Sequence, residues 1–216
     1  MGSSQGSLDE LQTRVLTILA GFEPPFILGG GGALAIYFDH RKTRDLDLFW
    51  EDIEALAGLP QLIQRRLEDA GVAISVVQQS PGFVRLRASD VSSAINIDLV
   101  ADPTERLERP LVVSIGDREI AAESPRDLLV NKLCALLSRS ELRDLFDIGV
   151  LIANGLSLDD AIHSAPRKDG GFSPLTLAWV LQNLDVRSLT VASGFTNDDV
   201  DQIDGIRIEL IKKLLE

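Results

Sequence analysis

An α+β chain, with a mixed sheet first and helices after it, is predicted by three observations. Apolar runs of strand length crowd the first 123 residues, at 26–28, 45–49, 72–78, 83–88 and 94–100. From Ser124 onward the spacing changes to the i, i+3, i+4 repeat of helices and keeps it. The third is an Asp-Leu-Asp triplet in one of the strand-like runs, where alternation puts Asp45 and Asp47 on the same face. The division expected is a sheet-bearing core over 1–123 and a helical portion over 124–216.

The elements follow in order. Ser7 with Glu10 makes a capping box, and Leu8, Leu11, Val15, Ile18 and Leu19 recur at helical spacing, so an amphipathic helix is expected over 7–21. Strand 26–28 ends in a glycine turn, a short helix follows over 33–38, and the Asp-Leu-Asp strand covers 45–49 with Leu46, Leu48 and Phe49 supplying its buried face. A helix over 59–70 leads to runs 72–78 and 83–88, joined by Ser-Pro-Gly and expected to pair antiparallel. A strand over 94–100 precedes a hairpin, 111–115 with 119–121, that turns on Gly116-Asp117. Ser124 caps and Pro125 opens a helix whose Leu128, Leu129, Lys132, Leu133, Leu136 and Leu137 share one side. Another runs from about Leu142 to near Gly155, Ser157 and Ser173-Pro174 open two more, and Asp198–Leu215 closes the chain. The RKDGG segment, 167–171, is expected as an exposed loop.

Composition narrows the function classes. With 216 residues and 45% hydrophobic content the chain can bury one large core or two small ones. No apolar run reaches the roughly 18 residues of a membrane span, and MGSSQGSLDELQ has no export signal, so the expectation is a cytoplasmic protein without membrane contact. A single cysteine, Cys134, excludes an internal disulfide and is expected in the core. Together with His40 and His163 it cannot make a zinc cluster, so any metal is held by oxygen. The net charge of −12 argues against a broad nucleic-acid footprint and suits a basic partner protein. Basic residues nevertheless cluster locally: Arg41, Lys42 and Arg44 flank the Asp-Leu-Asp strand, Arg65 adjoins Arg66, and Arg139 and Arg143 lie one helical turn apart.

The chemistry concentrates in FILGGGGALAIYFDHRKTRDLDLFW, Phe26 to Trp50. Glycines let backbone N–H groups approach a phosphate, helped by the positive end of a following helix. Paired carboxylates repel one another across a strand face, and a bound cation relieves that repulsion. Together they read as a site for a metal-bound nucleoside triphosphate, with Gly30, Gly31, Gly32 and Arg44 at the phosphates and Asp45 and Asp47 on the metal. A dinucleotide fingerprint also fits Gly30, Gly32 and Ala35 with Glu51 or Asp52 downstream, but polar Asp39–Arg44 leaves no room for the long crossover helix that fold needs. A kinase-type phosphate loop is excluded because no lysine follows the glycines.

This stretch resembles the AbiEii/AbiGii toxin branch of the DNA polymerase β-like nucleotidyltransferases. A second block, DLLVNKLCALLSRSELRDLFDI from Asp127 to Ile148, is similar to that branch's second segment, and INIDL, 95–99, sits where a third carboxylate is expected. The resemblance covers about residues 26 to 153 and implies a nucleotidyltransferase-type mixed sheet flanked by helices, with the helical portion completing the nucleotide site. It implies Asp98 as third metal ligand, Lys132 as a charge on the triphosphate, and Asp147, or Asp144, as an acid near nucleotide or acceptor. The structural alternatives are a lysine that snorkels and surface salt bridges through Arg143 and Asp144. The implied reaction moves a nucleoside monophosphate to an acceptor hydroxyl with release of pyrophosphate, using two Mg²⁺ ions. The implied acceptor is the 3′ end of a tRNA, in a toxin neutralised by an antitoxin; a protein or antibiotic acceptor is the alternative. One departure stands out: Gly32 occupies the place where the family carries Ser or Thr, which keeps a degenerate nucleotide- or partner-binding module open.

Overall fold

The computed structural model describes residues 7–52, 54–193 and 195–216. It is α+β and divides into two compact units, Met1–Ser124 and Pro125–Glu216. The first unit is built on a seven-stranded mixed sheet of order β3-β4-β5-β2-β1-β7-β6. Its strands are β1 Ile27–Gly29, β2 Asp45–Trp50, β3 Ala73–Ser80, β4 Phe83–Ser89, β5 Ala94–Ala101, β6 Leu111–Ile115 and β7 Arg118–Ala122. β2 runs parallel to β5 and antiparallel to β1, and β1 runs parallel to β7. The remaining pairs are antiparallel, including both hairpins expected from the Ser-Pro-Gly and Gly-Asp turns.

Alternation along β2 decides which residues face the core. Leu46, Leu48 and Trp50 are buried, while Asp45, Asp47 and Phe49 share the other, half-buried face. Phe49 therefore belongs with the aspartates, not with the leucines as expected; the strict period of two puts Trp50 in its place, with its indole N–H donating to the Pro24 carbonyl at 3.0 Å.

Helix α1 (Glu10–Leu19) begins later than the expected residue 7. Asp9, not Ser7, is the N-cap, and a capping box forms with Gln12. Ser7 instead donates its hydroxyl to Asp39 at 2.7 Å. Helix α2 (Gly30–Phe38) begins three residues before the expected position, so Gly30, Gly31 and Gly32 form its first turn and no separate glycine turn exists. Glycine disfavours helix interiors by about 1 kcal/mol per residue, but tertiary packing overrides the propensity here. A Cβ on Gly32 would lie 3.2 Å from Leu28 Cδ1 and 3.4 Å from Leu46 Cδ2, so the absent side chain lets α2 rest directly on the apolar sheet face. Helix α3 (Leu59–Asp69) packs against α1 and β3.

Among its described residues the second unit contains helices and connecting turns but no strand. It contains α4 Pro125–Arg139, α5 Leu142–Ala153, α6 Leu158–Lys168, α7 Pro174–Gln182, α8 Val186–Ser193 and α9 Asn197–Leu214. Ser157 and Ser173 cap α6 and α7 through their hydroxyls, as expected. The expected loop at 167–171 is partly helix: α6 extends through Arg167 and Lys168, and the Lys168 side chain is buried against Asp127 at 2.7 Å. That ion pair ties the end of α6 to the first turn of α4, which extends the helix past its Pro166.

Candidate active site

The strand registers of the first unit bring the carboxylates together. Across the sheet, Gly29 of β1 faces Asp47 of β2, Asp47 faces Asp98 of β5, and Asp98 faces Arg85 of β4. A second row, two residues along, sets Asp45 beside Asn96 and Asn96 beside Arg87. Side chains directly opposite on neighbouring strands stand within about 4.5–5.5 Å at Cβ, so these rows form a compact polar patch. Asn96 donates to Asp45 Oδ1 at 2.9 Å and accepts from Arg87 Nη1 at 3.0 Å. Arg85 grips Asp98 with two parallel bonds, Nε to Oδ1 at 2.7 Å and Nη2 to Oδ2 at 2.6 Å. Asp98 leads the causes that hold the guanidinium above its usual range, with Asp45 and Asp47 adding their charge.

Glu123 extends the first row and was not anticipated. It follows β7, its N–H donates to the Leu28 carbonyl at 2.9 Å, and it is only 3% exposed. Its Oε2 fills the space above Gly29, 2.7 Å from where a Cβ would be. The Tyr37 hydroxyl donates to its carbonyl at 3.0 Å, and burial, then the Glu123 charge, raises the Tyr37 phenol above its usual range. No local pattern marks Glu123; only the parallel pairing of β1 and β7, distant in sequence, places it.

The glycines serve different ends. Gly30 has φ +55, and a Cβ there would overlap the Asp47 carboxylate, lying 2.9 Å from its Cγ. Only glycine meets both demands, a left-handed backbone and room for the Asp47 carboxylate against it. A Cβ on Gly31 would sit 2.8 Å from Thr43 Oγ1, and Thr43 in turn donates to the Asp45 carbonyl at 3.2 Å. Gly29, the N-cap of α2, offers no side chain to the first-turn amides, so Gly30, Gly31 and Gly32 present backbone donors and the positive helix end beside Asp47. Gly32 has no positive φ, and a Cβ there would meet Leu28 and Leu46 of the core. Arg44 is exposed just before β2.

Lys132, Asp144 and Asp147 are brought together within the second unit. The Lys132 ammonium lies 2.7 Å from Asp144 Oδ1 and 2.7 Å from Asp147 Oδ2, and all three are buried. Lys132 therefore does not snorkel to water. Arg139 adds a bidentate grip on Asp144, at 2.7 and 2.9 Å. Burial pushes the Asp144 carboxyl up, but Arg139 and Lys132 together outweigh it and hold it below the usual range. Of the salt bridges weighed as the structural alternative, that of Arg143 is to Glu141 at 2.8 Å, and those of Asp144 are to Lys132 and Arg139 with its own carboxylate buried. Cys134 is half-buried rather than enclosed, and burial pushes its thiol up to about 11.

Among the described residues no three Asp, Glu, His or Cys side chains form a ready-made metal cage. The donor chemistry of the aspartate patch nevertheless fits a hard dication: Asp45, Asp47 and Asp98 offer only oxygen, from one sheet face, beside a helix start cleared of side chains. What stands against immediate ligation is Arg85, which occupies both Asp98 oxygens. No helix among the described residues is long and apolar enough to cross a membrane.

The family model described as nucleotidyl transferase AbiEii toxin, type IV toxin-antitoxin system, matches residues 14–201. Solved structures share the fold at low identity. JHP933 from Helicobacter pylori is 17% identical, with 95% of this chain and 90% of that one covered at a TM-score of 0.58. MenT4, a nucleotidyltransferase toxin from Mycobacterium tuberculosis, is 12% identical, with 93% and 91% covered at 0.58. An antigenic nucleotidyltransferase-like protein from Paracoccidioides brasiliensis is 15% identical, with 89% and 93% covered at 0.54. No curated protein matches the chain significantly.

Proposed function

We propose, from the premise that the chain belongs to the AbiEii nucleotidyltransferase toxin family, that it moves a nucleoside monophosphate from a Mg²⁺-bound nucleoside triphosphate to an acceptor hydroxyl, releasing pyrophosphate. The observation that carries this reading is the convergence of Asp45, Asp47 and Asp98 on one sheet face beside the glycine start of α2. Asp45, Asp47 and Asp98 would hold one Mg²⁺ ion, and Asp45 with Asp47 a second. Bound there, the metal supplies a lowered pKa to the acceptor hydroxyl and neutralises charge on the phosphates.

The chain's own residues do the positioning. The amides of Gly30, Gly31 and Gly32 donate to phosphate oxygens, and the bare Gly30 makes room for the Asp47 carboxylate beside them. Asn96 fixes the orientation of Asp45, and Thr43 steadies the backbone beneath it. Arg85 holds the buried Asp98 carboxylate on the same sheet face as Asp45 and Asp47. A Cβ at Gly32 would face Leu28 and Leu46, which supports a packing role for this glycine beside the phosphate-binding role of its neighbours.

The family supports a toxin with an antitoxin partner; the acceptor proposed first is the 3′ end of a tRNA. The net charge of −12 favours a protein acceptor as the second reading, since a polyanion needs a cationic footprint. Incubation with each labelled NTP, Mg²⁺, and either total RNA or total protein separates them on a gel. Label in a tRNA-sized band from one NTP supports the first reading, and label in protein the second. Absence of label together with absence of NTP binding contradicts both.

A further inference from the structure

The sheet face that carries the aspartates also carries a cation of its own. We propose that Arg85 is the resident counter-ion of the metal site: a positioning residue that holds Asp98 in the metal-free protein and must yield that carboxylate for a dication to bind. The inference rests on reading Asp45, Asp47 and Asp98 as metal ligands.

The geometry makes the competition direct. Arg85 takes both Asp98 oxygens, at 2.7 and 2.6 Å, from the position directly opposite on β4. Asp98 lies beside Asp47 on the adjoining strand, and Asp45 stands two residues along the same face. Carboxylates this close repel, and a guanidinium in their row offsets the repulsion as a metal would. A dication on Asp98 brings a second positive centre to the same oxygens, where Coulomb repulsion with the guanidinium is strong because the carboxylate is desolvated.

The partner able to move is the arginine. Its side chain is 36% exposed and that of Asp98 only 9%, so the guanidinium has water to swing into and the carboxylate does not. The Phe83 ring already lies under the guanidinium, its centroid 5.7 Å from the guanidinium carbon, and flanks it on the side chain's own strand. The neighbouring Arg87 is engaged with Asn96 and leaves Asp98 to Arg85. Release of Arg85 on metal binding therefore exchanges one cation for another without ever leaving the buried Asp98 uncompensated, and it frees a guanidinium beside the aspartates for an anionic ligand.

The test uses the whole chain, with Mg²⁺ alone as probe, in titration calorimetry and in thermal melts with EDTA or saturating Mg²⁺. Arg85→Met keeps the stem and removes the competing charge. It is expected to melt below wild type in EDTA, to recover most of the difference in Mg²⁺, and to bind Mg²⁺ about tenfold more tightly, the scale of one lost charge-assisted bond. Affinity unchanged or weakened, or a melting deficit equal with and without Mg²⁺, overturns the inference. Should Arg85→Met fail to fold, Arg85→Lys decides: a lysine cannot grip both oxygens, so Mg²⁺ must bind more tightly than to wild type, and equal or weaker binding refutes the proposal. Wild type that binds no Mg²⁺ at all overturns the metal-site reading itself, whereas wild type that binds it with no gain in the Arg85 variants overturns only the role of Arg85.

Discussion

Replacing Gly30 by alanine attacks the site at its tightest point. The backbone there has φ +55, a region that costs an L-residue roughly 1–2 kcal/mol. The new methyl would also overlap the Asp47 carboxylate and force it off its rotamer, for about 0.5–1.5 kcal/mol more. Gly21→Ala is the matched control, since Gly21 has φ +73 and nothing within 4 Å of the added Cβ. Both variants share the backbone cost and only one disturbs Asp47. In urea denaturation Gly30→Ala should lose about 1.5–3.5 kcal/mol and Gly21→Ala about 1–2 kcal/mol, and calorimetry should show Mg²⁺ affinity lost in the first and kept in the second. Equal destabilisation with Mg²⁺ affinity retained in both would refute the claim that Gly30 exists to clear Asp47.

Lys132→Met should cost about 3–5 kcal/mol in urea denaturation, because Asp144 and Asp147 stay buried without their shared ammonium; a lysine acting on phosphate alone predicts unchanged stability with lost turnover. Acid should weaken the second unit through Asp144: its carboxyl is held below the ordinary 3.8, so its contribution is complete above that pH and is lost as pH falls through the depressed value. Melts in this acid range check it, and Asp144→Asn should flatten the dependence. Gly32→Ser should lower stability by about 1–3 kcal/mol through a hydroxyl facing Leu28 and Leu46, with no gain in NTP affinity by calorimetry.

Local rules carried the sequence reading a long way. Turn chemistry placed both antiparallel hairpins, serine caps placed α6 and α7, and strand alternation placed Asp45 and Asp47 on one face. What escaped depended on contacts distant in the chain. Arg85 and Glu123 reach the aspartates only through the registers of β4 with β5 and of β7 with β1. A signal for Arg85 did exist, since Arg85 and Arg87 alternate on a strand expected to lie in the same sheet as INIDL. Glycine's low helix propensity hid the start of α2, which is set by its packing on Leu28 and Leu46. The buried Lys168–Asp127 pair likewise turned an apparently polar loop into the end of a helix.

The central claim is that the aspartate patch binds metal and nucleotide together, and Asp47→Asn tests it most directly. Asp47 stands between Gly29 and Asp98 in the row, and its carboxylate packs against Gly30, so it joins the metal-binding row to the glycine start of α2. An amide of the same shape keeps the packing and removes the charge that a hard dication needs. Titration of wild type and Asp47→Asn with Mg²⁺-NTP, alongside their melts, should show binding in wild type, loss of binding in the variant, and a variant that melts no lower than wild type in EDTA because one repelling carboxylate is gone. Equal affinity for Mg²⁺-NTP in the two proteins, with equal melts, would contradict the account.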